Sequence, residues 1–155
     1  MKKFLILSLV ALAGVFSMNA AQGEKAFGAQ FSYASKHSMV GLGLNFQYEF
    51  VNNFRVEPEF IYYFESDHLS DFNVNLNFHY LIHTSSKFAI YPLAGFSYAR
   101  LNPEIGDGFN RFGANVGVGA EYTINNRFAF YVEERFQILK DMKQSVTCIG
   151  FKYKF

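Results

Sequence analysis

The chain has 155 residues, 14 basic and 13 acidic side chains, one cysteine, no tryptophan, 20 phenylalanines and 10 tyrosines. Near-neutral charge gives no footprint for nucleic acid, a single cysteine excludes a disulfide framework, and no apolar run beyond the N-terminus reaches the ~20 residues of a membrane-spanning helix. The length suits one domain.

Met1-Lys2-Lys3 precedes an apolar run over 4–16 and small residues at Ala20, Ala21 and Gly23. A basic start, a short apolar core and small residues predict a cleavable secretory signal peptide over 1–20, cut between residues 20 and 23. The remaining 21–155 is then one exported domain. No cysteine stands at the cut to carry a lipid, since the only one is Cys148.

From residue 26 onward, apolar and polar residues alternate in runs divided by turn residues, the period of a strand with one apolar face. Residues 26–35 place Phe27, Ala29, Phe31 and Tyr33 on that face, and 39–50 place Val40, Leu42, Leu44, Phe46, Tyr48 and Phe50. After Asn52-Asn53, residues 54–64 show Phe54, Val56, Pro58, Phe60, Tyr62 and Phe64; residues 72–82 show Phe72, Val74, Leu76, Phe78 and Tyr80. Residues 88–100 give Phe88, Ile90, Pro92, Ala94, Phe96 and Tyr98; 111–123 give Phe112, Ala114, Val116, Val118, Ala120 and Tyr122. Residues 127–137 give Phe128, Phe130, Val132 and Phe136, and 145–155 give Ile149, Phe151, Tyr153 and Phe155. The count is eight strands.

Of the 27 aromatics in these strands, 24 share the apolar phase; Tyr63, Tyr91 and Tyr131 do not, and each carries a hydroxyl suited to a polar interior. The opposite phase holds Glu49, Arg55, Glu57, Glu59, Arg111, Glu121, Glu133, Arg135, Lys152 and Lys154, five acids and five bases. A water-soluble barrel would turn its apolar face inward. Ten charges inside and a wide aromatic exterior fit a barrel whose outside meets lipid. The predicted fold is all-β: an eight-stranded antiparallel up-and-down transmembrane β-barrel. An interior of that width is just filled by side chains, so the charges are expected to form a packed lumen network.

Tight connections at 51–53, 83–87 and 124–126 are expected on the periplasmic side with both termini, and those at 35–38, 65–70, 101–110 and 138–144 outside. This topology predicts a periplasmic belt of interfacial aromatics from Phe27, Phe50, Phe54, Tyr80, Phe88, Tyr122, Phe128 and Phe155. Tyr33, Phe64, Phe72, Tyr98, Phe112 and Phe136 supply the outer one.

With these features the chain resembles the small eight-stranded outer-membrane β-barrels of the OmpX/OmpA-like group (porin family, outer membrane protein beta-barrel domain). The most recognisable block is Gly113-Ala-Asn-Val-Gly-Val-Gly-Ala-Glu-Tyr122, followed by Asn125-Asn126 and the strand that begins near Phe128. The hairpin over 40–60 is built similarly, with Gly41, Gly43 and Asn52-Asn53. The resemblance implies a Gram-negative outer-membrane location, lipids as surroundings, and recognition of the C-terminal strand, ending in Phe155, by the barrel-assembly machinery. It implies a monomer with no catalytic residues, cofactor or metal.

Some residues stand apart. Glu134 follows Glu133, so one of them faces lipid; a headgroup-level position or a bulge is expected. Pro58 and Pro92 lack an N–H and are expected at bulges or irregular pairing. His68 and Ser70 resemble a hydrolase fragment, but no oxyanion-hole donors accompany them. His37, His79 and His83 show no metal-ligand spacing, and Cys148 falls in the inward phase as a buried thiol. The reading is an outer-membrane barrel of structural or surface-interaction role, with a small-solute channel and a lipid A-modifying enzyme as alternatives.

Overall fold

The computed structural model describes residues 23–66 and 69–155. The signal-peptide reading, and His68 of the hydrolase fragment, lie outside the described residues. Nine strand segments follow in order: β1 (Lys25–Ala34), β2 (Met39–Val51), β3 (Phe54–Ser66), β4 (Leu69–Tyr80), β5 (Ile82–His83), β6 (Phe88–Pro103), β7 (Phe109–Thr123), β8 (Phe128–Leu139) and β9 (Met142–Lys154). The two-residue β5 continues β4 past Leu81 and pairs with the same neighbour, β6. The wall therefore counts eight strands, as the alternation predicts. Each pairs antiparallel with its chain neighbours, and β1 closes on β9. Closure leaves no sheet edge with unpaired N–H and C=O groups.

Exposure alternates residue by residue along the wall, as in β1, where Ala26, Gly28, Gln30, Ser32 and Ala34 point inward and Phe27, Ala29, Phe31 and Tyr33 outward. Tyr63, Tyr91 and Tyr131 are buried in the lumen, while the predicted outward aromatics lie on the outer face. One end of the barrel carries both described chain ends and the tight turns; the other carries the remaining connections. At the terminal end, Phe155 N donates to Lys25 O at 2.9 Å, tying the last residue to the first strand.

The 35–38 connection is as expected, and the others at the loop end are shorter. The strands on either side of the β8–β9 turn run on to Leu139 and from Met142, leaving only Lys140-Asp141 between them, with Asp141 at φ 60°. The reason is local: Gln137, Leu139, Met142 and Gln144 continue the inward row, and Gln144 Nε2 donates to Gln137 Oε1 at 2.6 Å. Likewise β6 reaches Pro103 and β7 begins at Phe109.

Neither proline makes a bulge. Pro58 pairs with Leu76 and Pro92 with Val118 in unshifted register. A missing donor interrupts the ladder on its own side instead. Pairing of β6 with β4 stops at His79↔Leu93 and resumes at Ile82↔Ile90, and pairing of β2 with β3 lapses between Asn45↔Glu59 and Tyr48↔Val56. The register shifts lie elsewhere, between Glu49 and Val51 and between Tyr63 and Ser66. Glu134 makes no bulge either. It pairs with Val118 and Thr147, its side chain is on the outer face, and its carboxylate accepts from Ser145 Oγ and Thr147 Oγ1.

All three inward tyrosines lie across the ladder from glycine: Tyr63 opposite Gly41, Tyr91 opposite Gly119 and Tyr131 opposite Gly150. A Cβ at Gly119 would stand 2.4 Å from the Tyr91 ring, and one at Gly150 would stand 2.5 Å from that of Tyr131. The ring lies in the space the absent side chain leaves, which is why these two positions need glycine. Gly119→Ala is expected to destabilise the barrel by about 1–3 kcal/mol through overpacking, read as a lower urea midpoint for unfolding from detergent micelles.

Candidate functional site: the polar lumen

The inward rows of eight strands meet in one interior, where polar groups have no bulk water and must find partners on the opposite wall. Arg135 of β8 reaches across to Glu59 of β3, with Nη1 donating to Oε2 and Nη2 to Oε1, both at 2.7 Å. The fork matches a carboxylate edge to edge. Gln30 Nε2 donates to Oε1 at 2.6 Å and Asn75 Nδ2 to Oε2 at 2.7 Å, so the Glu59 carboxylate accepts four hydrogen bonds. Arg135 Nη2 also donates to the Cys148 thiol at 2.9 Å.

A second hub lies nearer the terminal end. Glu121 of β7 receives Arg55 Nη1 at 2.9 Å and Lys152 Nζ, and Lys152 also donates to Gln47 Oε1 at 2.8 Å. Toward the loop end the network is amide and hydroxyl: Gln137 donates to Ser97 Oγ at 2.6 Å and to Asn73 Oδ1 at 2.9 Å, and Ser97 donates to Asn75 Oδ1 at 2.6 Å.

Apolar side chains also pack against one another inside the lumen. Met39, Ile61, Tyr63, Val146 and Cys148 pack with Ala34 in one cluster; Ala99, Leu101, Leu139 and Met142 pack in another. Leu81, Ala89, Tyr91 and Leu93 form a third. At the terminal end a cavity of about 340 Å³ opens between Glu24, Glu49, His83 and Lys154, with Arg55 and Glu121 among its lining.

Residues 7–155 match the family model of the outer membrane protein beta-barrel domain. The chain belongs to this family. It is an integral outer-membrane β-barrel protein. Its fold is similar to that of the N-terminal β-barrel domain of Pseudomonas aeruginosa OprF, with a TM-score of 0.72 at 16% identity over 86% of this chain and 100% of that one. Neisserial surface protein A (NspA) gives a TM-score of 0.66 at 16% identity, covering 86% and 97% of the two chains. The Yersinia pestis attachment invasion locus protein Ail gives 0.55 at 18%, again covering 86% and 97%. No curated protein sequence matches the chain.

In this outer-membrane barrel the predicted lumen charges divide into groups. Arg55, Glu57, Glu59, Glu121, Glu133, Arg135 and Lys152 are buried in the interior. Lys154 stands at the cavity mouth, 3.0 Å from Glu24 and 3.6 Å from Glu121. Glu49 also lies at that mouth, where it accepts Asn53 N at 3.0 Å and caps the β2–β3 turn. Arg111 is not part of the network: it sits at the loop-end rim, donates to Lys140 O and lies 5.0 Å over the Phe109 ring. Its strand runs to the rim from Phe109, two residues earlier than the alternation indicates, and that puts Arg111 above the packed interior.

Gln30, Asp71, Ser97, Gln137 and Gln144 belong to the lumen and carry no charge pattern that singles them out. Their only sequence signal is parity with an inward neighbour. The eight predicted terminal-end aromatics Phe27, Phe50, Phe54, Tyr80, Phe88, Tyr122, Phe128 and Phe155 are all exposed on the outer face. They interlock around that end, with Phe54 4.9 Å from Tyr80 and Tyr153 between Phe128 and Phe155 at 5.3 and 6.3 Å.

Arg135→Met would strand the Glu59 charge among neutral donors and is expected to cost about 3–5 kcal/mol. Adding Glu59→Leu is expected to recover part of that loss, so the double-mutant cycle in urea unfolding returns a favourable coupling for the pair.

Proposed function

We propose that this protein is a non-enzymatic structural barrel of the outer membrane whose lumen is a plug and whose rim meets surface partners. The observation that carries this reading is the Arg135–Glu59 fork across the interior, with every Glu59 lone-pair direction engaged by a neighbouring donor. A conducting path would have to break this hub and part the apolar clusters that seal it. Against an enzyme of the serine type, Ser70 lies in β4 and its hydroxyl faces the Asn102 carbonyl at 3.5 Å. The lumen groups serve as mutual partners, and neither catalytic residues nor a cofactor enters the reading.

Both termini belong on the periplasmic side, with the short turns, and the loop end faces outward. The parity of eight strands and the position of the aromatic ring around Phe155 support that orientation. The barrel is a monomer in outer-membrane lipid, since its sheet has no free edge to offer a second copy. Its closing strand, with Phe151, Tyr153 and Phe155 outward, is the segment offered to the barrel-assembly machinery.

In planar bilayers the folded protein is expected to give no steady unitary openings; reproducible openings would replace the plug with a channel. Phe155→Ala is expected to lower the amount of folded barrel in the outer membrane several-fold while leaving refolding from urea into detergent intact. Heat-dependent gel mobility reads both. Lipid A mass spectra are expected to be the same with the protein, without it, and with Ser70→Ala.

A further inference from the structure

Glu57 of β3, His79 of β4 and Glu133 of β8 meet inside the lumen, each offering a ligand atom within 4.8 Å of the others. They come from three strands, and nothing in their sequence spacing announces the cluster. All three are buried, with exposures of 0, 1 and 0%.

The lumen's cations are committed elsewhere: Arg135 to Glu59, Arg55 and Lys152 to Glu121. The hydrogen bonds to Glu57 come from neutral donors, Gln47 Nε2 at 2.6 Å on Oε2 and Asn77 Nδ2 at 3.4 Å on Oε1. Glu133 Oε1 accepts the Tyr91 hydroxyl at 2.8 Å, while its Oε2 has no partner among the described residues. Neither ring nitrogen of His79 has a hydrogen-bond partner among them. The imidazole is held flat against Tyr91, with centroids 4.7 Å apart and planes at 12°, and its Nε2 stands 3.6 Å from Glu57 Oε1. That distance is too long for a hydrogen bond.

Charge points the same way. Among the fully buried side chains, five carboxylates (Glu57, Glu59, Asp71, Glu121 and Glu133) face three cations (Arg55, Arg135 and Lys152). A divalent ion would balance the Glu57 and Glu133 carboxylates and give the unpartnered nitrogen and oxygen a partner. One imidazole nitrogen with two carboxylate oxygens is a donor set for zinc and similar divalent ions. With arms of ~2.0–2.1 Å, neighbouring ligand atoms of a tetrahedral zinc stand about 3.4 Å apart, close to the 3.6 Å between His79 Nε2 and Glu57 Oε1.

We propose that Glu57, His79 and Glu133 form a lumenal site for a divalent transition-metal ion of the zinc type, which ties β3, β4 and β8 together across the barrel. The site goes beyond the plug reading and is separable from it, because the Arg135–Glu59 and Glu121 hubs form without the ion. The cavity at the terminal end reaches Arg55 and Glu121, and the Arg55 guanidinium lies 5.9 Å over Tyr91, the ring that backs His79. Loading before the ring closes avoids that barrier.

The test refolds the protein from urea into detergent with zinc, passes it through metal-free gel filtration and measures metal by mass spectrometry. About one zinc per folded barrel is expected, with cobalt in its place giving the visible absorption of a nitrogen–oxygen site. His79→Asn and Glu133→Gln are expected to lower the zinc content at least tenfold, and His83→Asn, at the cavity mouth, to leave it unchanged; heat-dependent gel mobility verifies folding in each. Three results overturn the site: wild-type protein without stoichiometric zinc, full zinc in folded His79→Asn, or loss of zinc in His83→Asn. Should both ligand variants fail to fold, wild-type stoichiometry and the cobalt spectrum decide it. Bilayer recordings of metal-free protein are a separate measurement, so silence there with no bound zinc leaves the plug standing and removes the metal.

Discussion

The closed hydrogen-bond ladder is the constraint on which everything else in this protein depends. In hydrocarbon, a backbone donor or acceptor without a partner costs several kcal/mol, so a sheet that spans lipid must return to its own first strand. Here the return is made by β1 on β9, and the ring leaves half of all wall side chains facing lipid and half facing each other. The outward half is apolar and aromatic because lipid demands it. The inward half is free of that demand but has to fill a space only about as wide as its own side chains.

Narrowness turns chain-distant residues into neighbours. Arg55 and Glu121 are 66 residues apart, Glu59 and Arg135 are 76, and Asn45 and Tyr131 are 86. In an interior sealed from bulk water such pairs cannot be loose: an unpaired charge would cost more than the pair contributes. The structure answers with two acid hubs: Glu59, saturated by Arg135 and two amides, and Glu121, which draws Arg55 and Lys152. Gln30 and Asn75 fill the remaining acceptor positions of Glu59, and glycines opposite Tyr91 and Tyr131 give those rings the room they occupy. Glu57 and Glu133 lie outside both hubs, and the imbalance of charge collects around them and His79.

What the sequence revealed follows from this division. Strand number, outward aromatics and the inward phase of Tyr63, Tyr91 and Tyr131 are legible because a period of two is a local property that needs no knowledge of the partner strand. Pairing is different. Which base meets Glu121, and whether Arg111 lies in the interior or above it, depends on register summed around the ring, and register is not local. The same holds for Pro58 and Pro92. The absent N–H is visible in the sequence, yet whether the ladder bulges or lapses depends on the register of the facing strand, and at both prolines it lapses without a shift. The inward parity of Gln137, Leu139, Met142 and Gln144 was present to be read, but their neighbours Lys140 and Asp141 resemble a loop and hide it.

The two ends of the barrel are unequal, and that inequality bears on role. At the terminal end the lumen opens into a cavity bordered by Glu24, Glu49 and Lys154, polar groups that water can serve. At the loop end Met142, Leu139 and Leu101 pack against one another. A solute in the cavity therefore meets first the Arg55–Glu121–Lys152 hub, then the Glu59 hub, then an apolar cap. Each barrier differs in kind: charge, saturated hydrogen bonding and close packing. A single gating motion would have to disrupt all three, whereas a plug needs only that each persist. The interior is therefore best understood as the core of this protein, polar where a soluble protein's core is apolar because the apolar side chains are held outside by lipid.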